Sequence, residues 1–126
     1  MTYLLDINVL LAAIWKEHPQ HRKAEEWLAG RKLATCPISE LGFLRISTLP
    51  KGPFRSDMSA ARQLLQGFLE SWRPQFVGND LPALYSRPAS SDQVTDFYLA
   101  DVAAKNQMKL ATFDRRISHL AVEVIL

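Results

Sequence analysis

The chain has 126 residues, 48% of them hydrophobic and 22% charged, with a formal net charge of +2. That length suits one domain, residues 1–126, with a real core and no room for a second. Composition excludes a membrane span, which needs ~18 consecutive apolar residues, a dedicated basic nucleic-acid reader, and any disulfide within the chain, because Cys36 is the lone cysteine.

Thr2 to Leu5 reads as a short buried strand, closed by Asp6. No basic segment precedes it and the acid interrupts its apolar run, so a signal peptide is not expected and cytoplasmic residence is. From Asn8 to Trp15 the apolar spacing becomes helical and stops before His18-Pro19. A second helix, His21 to Ala29, sets Ala24, Trp27 and Leu28 on one face, with Gly30 as its stop. Leu33 to Thr35 is a second strand. Pro37 suits a first helical position, and Leu41, Phe43, Leu44 and Ile46 carry that helix to about Thr48.

Ser56 or Asp57 caps the clearest amphipathic helix, with Met58, Ala61, Leu64, Leu65, Phe68 and Trp72 at 3- and 4-residue steps. Phe76-Val77 reads as a minor strand and Asp80 to Tyr85 as a short helix, inside a stretch from Arg73 to Ser91 that is otherwise irregular, as is Leu49 to Asp57. A longer helix runs from near Ser91 to about Gln107, apolar nearly all round and therefore expected to be heavily covered. Leu110 to Thr112 and Val122 to Leu126 are the last strands. Short strands alternating with helices indicate an α/β fold, a parallel sheet with helices on both faces.

Four acids stand at the mouths of these apolar runs: Asp6, Glu40, Asp96 and Asp114. In a parallel sheet the ligand crevice lies at the carboxyl ends of the strands. Asp6 and Asp114 follow strands to that rim, while Glu40 and Asp96 begin helices whose positive ends point toward it. Converging carboxylates out of water need a cation, and oxygen-only ligation selects a hard one, Mg²⁺ or Mn²⁺. For each acid taken alone, a helix cap satisfied by backbone N–H groups is the competing reading. Asp101, five residues beyond Asp96, lies about 140° round the helix axis and reads as structural, and Asp92 is a lesser candidate on the correct face. His18 and His21 lack partners at zinc spacing.

Asp6-Ile7-Asn8, Ser39-Glu40-Leu41-Gly42-Phe43-Leu44-Arg45, Thr95-Asp96-Phe97-Tyr98-Leu99-Ala100 and Ala111-Thr112-Phe113-Asp114-Arg115 resemble, in that order, the motifs of the PIN domain, in particular the VapC toxins of bacterial toxin–antitoxin pairs. The resemblance covers essentially the whole chain. It implies a three-layer PIN-like sandwich and a Mg²⁺- or Mn²⁺-dependent endoribonuclease acting on structured RNA, with transfer RNA or a ribosomal RNA loop as substrate, held inactive by a cognate VapB-like antitoxin. Asp6, Glu40, Asp96 and Asp114 become the metal-site acids, with Asn8 and Thr112 orienting carboxylates and water by hydrogen bonds. Arg45 stands either at the scissile phosphate or beside a site acid, or is a solvated helix residue. Arg115 and Arg116 stand as phosphate contacts or surface charge. A homodimer follows from the resemblance alone, as does an antitoxin groove lined by Trp15 and Trp27.

A haloacid-dehalogenase reading of Asp6-Ile7-Asn8-Val9-Leu10 needs an aspartate at position 8 and a threonine at position 10, and a receiver domain needs a lysine at the end of the last strand; the chain has none of these. The remaining rival is a PIN-fold module that binds RNA or protein without cutting it.

Overall fold

Successive strand residues face opposite sides of a sheet, so a strand apolar on both sides must be covered on both. In the computed structural model, which describes residues 1–78 and 80–126, five strands form one parallel sheet, the inner ones covered in this way: β1 (Thr2–Leu5), β2 (Lys32–Thr35), β3 (Gln75–Phe76), β4 (Lys109–Thr112) and β5 (Val122–Val124). Their spatial order is β3-β2-β1-β4-β5, with Leu4 of β1 opposite Ala34 on one side and Leu110 on the other. The chain therefore builds outward from β1 in one direction and resumes beside β1 in the other. The crevice of a doubly wound sheet opens where that reversal occurs, here between β1 and β4.

Alternation divides the core in two. Leu5, Leu33 and Ala111 face the helices α1 (Ile7–Ile14), α2 (His21–Leu28), α3 (Pro37–Ser47) and α4 (Met58–Trp72), packing with Val9, Leu10, Phe43, Leu65 and Phe68. Leu4, Ala34 and Leu110 face the other way, onto Leu99, Ala100, Val102 and Ala103 of α5 (Val94–Lys105). Cys36 is wholly buried on that second side, as expected of a small apolar side chain.

Local signals set several helix ends. Asp57 caps α4 through its carboxylate, which accepts from Ala60 N at 2.7 Å. Pro37 opens α3, and Gly30, at φ +79°, takes the chain out of α2. Trp15, just past α1, stacks on Phe54 with centroids 4.8 Å apart and donates from Nε1 to Ser47 Oγ at 2.8 Å. It thereby pins the loop after α3. Trp27 packs edge-on against Tyr3, beneath the Arg31 guanidinium.

The structure departs from the sequence expectation in the segments with fewest core contacts. The expected helix from Asp80 to Tyr85 shrinks to one 3-10 turn, Ala83–Tyr85, because Leu81 alone of these side chains is buried and Asp80 turns out to Lys105 at 3.2 Å. The expected helix near Ser91 opens with a 3-10 turn, Ser91–Gln93, before α5 begins at Val94. Its covering is partial as well, since Val94 is 52% exposed. Within the irregular stretch Arg73 to Ser91, residue 79 lies outside the described residues.

Gly42 sets the approach of α3 to α1. A methyl group built on it would overlap Ile7 Cδ1 and sit 2.6 Å from Ile7 Cγ1. Gly42→Val is therefore expected to cost about 1–3 kcal/mol in urea unfolding. Adding Ile7→Ala should recover part of that loss in a double-mutant cycle; strict additivity would place the strain elsewhere.

Candidate active site

Asp6 occupies the step from β1 to α1 and is 3% exposed. Its backbone N–H donates to Ala111 O of β4 at 3.0 Å, continuing the strand pairing. One carboxylate oxygen accepts from Ile7 N at 2.7 Å, the N-cap bond of α1, and the other accepts from Thr112 Oγ1 at 2.8 Å. The cap and the cluster member are thus one residue. Thr112 Oγ1 also accepts from Asn8 Nδ2 at 3.1 Å and from Asp114 N at 3.0 Å, while Asn8 Oδ1 accepts from Phe113 N at 3.2 Å. This closed network fixes Asp6, Asn8, Thr112 and the turn carrying Asp114 as a unit.

Glu40 lies in the first turn of α3. Thr35 Oγ1, at the end of β2, donates to Glu40 Oε2 at 2.8 Å. Ser39 beside it donates to Leu5 O at 2.7 Å, stitching α3 to the end of β1. Neither Thr35 nor Ser39 stands out in the sequence by chemistry. A signal does exist, however: Lys-Leu-Ala-Thr occurs as residues 32–35 and again as 109–112, ending β2 and β4. In each case the terminal threonine is buried and its hydroxyl holds a carboxylate at the same rim.

Asp96, in the first turn of α5, and Asp114, after β4, complete the set. The structure brings Asp6, Asp96 and Asp114 close enough to act on one another electrostatically. Burial, opposed by the Thr112 hydrogen bond and reinforced by the charge on Asp96, pushes the Asp6 carboxyl up to about 6. Burial and Asp114 raise Asp96 as well. Asp114 moves the opposite way, held below the usual carboxylate range by Arg116. Arg116 Nε donates to Oδ1 and a terminal nitrogen to Oδ2, each at 3.1 Å. Asp92 borders the same small dent as Asp96, Asp114 and Arg116. Among the described residues, no three His, Cys, Asp or Glu side chains stand as a ready-made ligand set for an ion.

The flanking arginines divide. Arg45 is exposed and lines a groove of about 360 Å³ with Ile38, Gly42 and the chain neighbours of three of the acids, Ile7, Leu41 and Thr95. Arg115 is exposed, whereas Arg116 is engaged by Asp114. Asp101 is turned away from the cluster, accepting from His119 Nε2 at 2.8 Å, in keeping with a structural role. His18 and His21 serve the turn between α1 and α2, through Gln20 N and Ala12 O.

A family model described as the PIN domain matches residues 3–123. The chain is 33% identical over 125 residues to Ribonuclease VapC38 of Mycobacterium tuberculosis, covering 94% of this chain and 89% of that protein. It is 34% identical over 131 residues to Ribonuclease VapC44 of the same species, covering 97% and 92%. Among solved structures, a chain in the crystal structure of VapBC2 from Rickettsia felis, bound to a DNA fragment from their promoter, matches with a TM-score of 0.65 at 18% identity, covering 98% of each chain. At that identity the likeness is one of fold.

The buried Asp6 carries a pH signature. Its folded pKa of about 6 exceeds the ordinary 3.8 of the unfolded chain, so its contribution to stability is fully present below 3.8 and is lost as pH rises through 6. The loss is on the order of 3 kcal/mol. In chelator, Asp6→Asn is expected to gain melting temperature relative to wild type at pH 7.5, and that gain should shrink at pH 5. A difference independent of pH would show that Asp6 does not titrate in this window.

Proposed function

The chain belongs to the PIN-domain family, in its VapC branch, and we propose that it is a Mg²⁺- or Mn²⁺-dependent endoribonuclease, the toxin of a toxin–antitoxin pair. The observation that carries this reading is the electrostatic coupling of the buried Asp6 to Asp96 and Asp114 at the β1–β4 crevice, with the carboxyls of Asp6 and Asp96 both raised. Carboxylates that penalise one another in partial burial are relieved by a hard cation, and the donors here are all oxygen. The residues present therefore suit a divalent ion.

In this reading Asp6, Glu40, Asp96 and Asp114 hold the ion. When bound, it supplies a water of lowered pKa and offsets charge on the phosphate during in-line displacement. Thr112 and Asn8 keep Asp6 and the Asp114 turn in place, and Thr35 does the same for Glu40. Arg45, Arg115 and Arg116 contact the RNA backbone, Arg45 from the groove beside Thr95 and Ile38. Structured RNA with an exposed loop, transfer or ribosomal, is the substrate class, because sequence is read in RNA mainly where bases are unpaired. A cognate VapB-like antitoxin neutralises the enzyme, which we propose to be a cytoplasmic homodimer made of a single PIN domain, residues 1–126. No helix among the described residues is long and apolar enough to cross a membrane.

Purified protein freed of antitoxin is expected to cut total bacterial RNA into discrete fragments with Mg²⁺ or Mn²⁺ and to leave it intact with EDTA. Asp6→Asn should abolish cutting, while Thr35→Val and Thr112→Val should lose about 10- to 100-fold in metal affinity or rate. Intact RNA in every lane, with RNA still bound, would instead support the non-cutting module. Mn²⁺ affinity measured by calorimetry should weaken as pH falls below about 6, where Asp6 takes up a proton.

A further inference from the structure

Arg116 is two residues from Asp114 and takes up both of its carboxylate oxygens. The side chain donates from Nε to Oδ1 and from a terminal nitrogen to Oδ2, each at 3.1 Å, and the Arg116 backbone N–H adds a third bond to Oδ1 at 2.9 Å. The fork of a guanidinium matches a carboxylate in this way, so the pairing occupies the bidentate face of Asp114 through which it would otherwise chelate a cation. The same positive charge acts on Asp92 and Asp96 across the dent these residues line. Yet the Arg116 side chain is 82% exposed. Swinging it into solvent breaks one exposed ion pair and disturbs no packing.

We propose that Arg116 is an exchangeable counter-ion of the acid cluster, competing with a divalent cation for Asp114. This rests on the carboxylates being a metal site, as argued above. In the cation-free protein the guanidinium neutralises Asp114 and lessens the repulsion among the acids. A divalent ion that recruits Asp114 must displace it, and the freed guanidinium then stands on the rim beside the cluster, where an RNA phosphate can take the place of the lost carboxylate. Arg116 is in this sense a positioning residue, acting on the ion through Asp114. Arg115, its exposed neighbour, has no such contact with Asp114 and serves as the control.

The test is Mn²⁺ titration by calorimetry, with electron paramagnetic resonance reporting bound ion, on wild type, Arg116→Gln, Arg115→Gln, Asp114→Asn, the Arg116→Gln/Asp114→Asn pair and Asp6→Asn. Arg116→Gln should bind Mn²⁺ about two- to fivefold more tightly, the worth of an exposed ion pair, and Arg115→Gln should change affinity far less. In the Asp114→Asn background the Arg116→Gln gain should vanish, because competition requires the carboxylate. Unchanged or weaker binding by Arg116→Gln, or a gain that persists without the Asp114 charge, overturns the proposal while leaving the metal site intact. Undiminished binding by Asp6→Asn, or no binding by any variant, instead removes the metal-site reading and the proposal with it.

Discussion

Asp6 is a carboxylate that the fold holds almost entirely out of water at the end of its central strand. Five hydrogen bonds keep it there. Its backbone N–H joins the ladder to β4, its backbone carbonyl accepts from Val9 N and Leu10 N in the first turn of α1, and its two carboxylate oxygens are held by Ile7 N and the Thr112 hydroxyl. Removing water from a carboxylate is costly, and hydrogen bonds to the charged form offset only part of that cost. The residual penalty is visible in its raised pKa. The neighbouring elements are arranged around this one group: β4 supplies Thr112, α1 supplies Asn8, and α5 brings in Asp96.

A site of this kind needs a rigid frame, since carboxylates left free would move apart. The frame comes from β1, which lies between β2 and β4 and is covered on both faces. Leu4 and Leu5 point into opposite cores, so the strand end from which Asp6 projects can neither rotate nor slip by one residue without burying it wrongly. α3 is tied to the same point by the Ser39 bond to Leu5 O and by close contact of Gly42 with Ile7. Glu40 and Asp6 therefore share a support although 34 residues separate them in the chain. The periphery is looser: β3 is two residues long and the 3-10 turns near Ala83 and Ser91 pack lightly.

Most of the architecture was legible because the core elements carry strong periodic signals. The spacing of Ala61, Leu65 and Phe68 defines α4 and is answered by their burial. Thr2 to Leu5 and Leu110 to Thr112 are too short and apolar to be anything but buried strands. Legibility failed where few side chains enter the core. Asp80 to Tyr85 has helical composition but only Leu81 to anchor it, and Phe76-Val77 joins the sheet one residue earlier than expected because the edge pairing runs from Gln75 to Phe76 opposite Ala34 and Thr35.

The sequence by itself determined which carboxylates stand at strand ends and helix starts, and the parallel sheet that would bring such positions to one rim, because both follow from local periodicity and from one topological rule. Only the tertiary structure decided what each acid touches. That Thr112 serves Asp6 from 106 residues away, that Thr35 plays the matching part for Glu40, and that Arg116 is clasped to Asp114 while Arg45 stands open on the groove are facts of distance between side chains. Sequence spacing sets the direction in which a side chain leaves its element; its partner is set by the packing of that element against others, and a hydroxyl or a guanidinium looks the same in a sequence whether it meets a carboxylate or water.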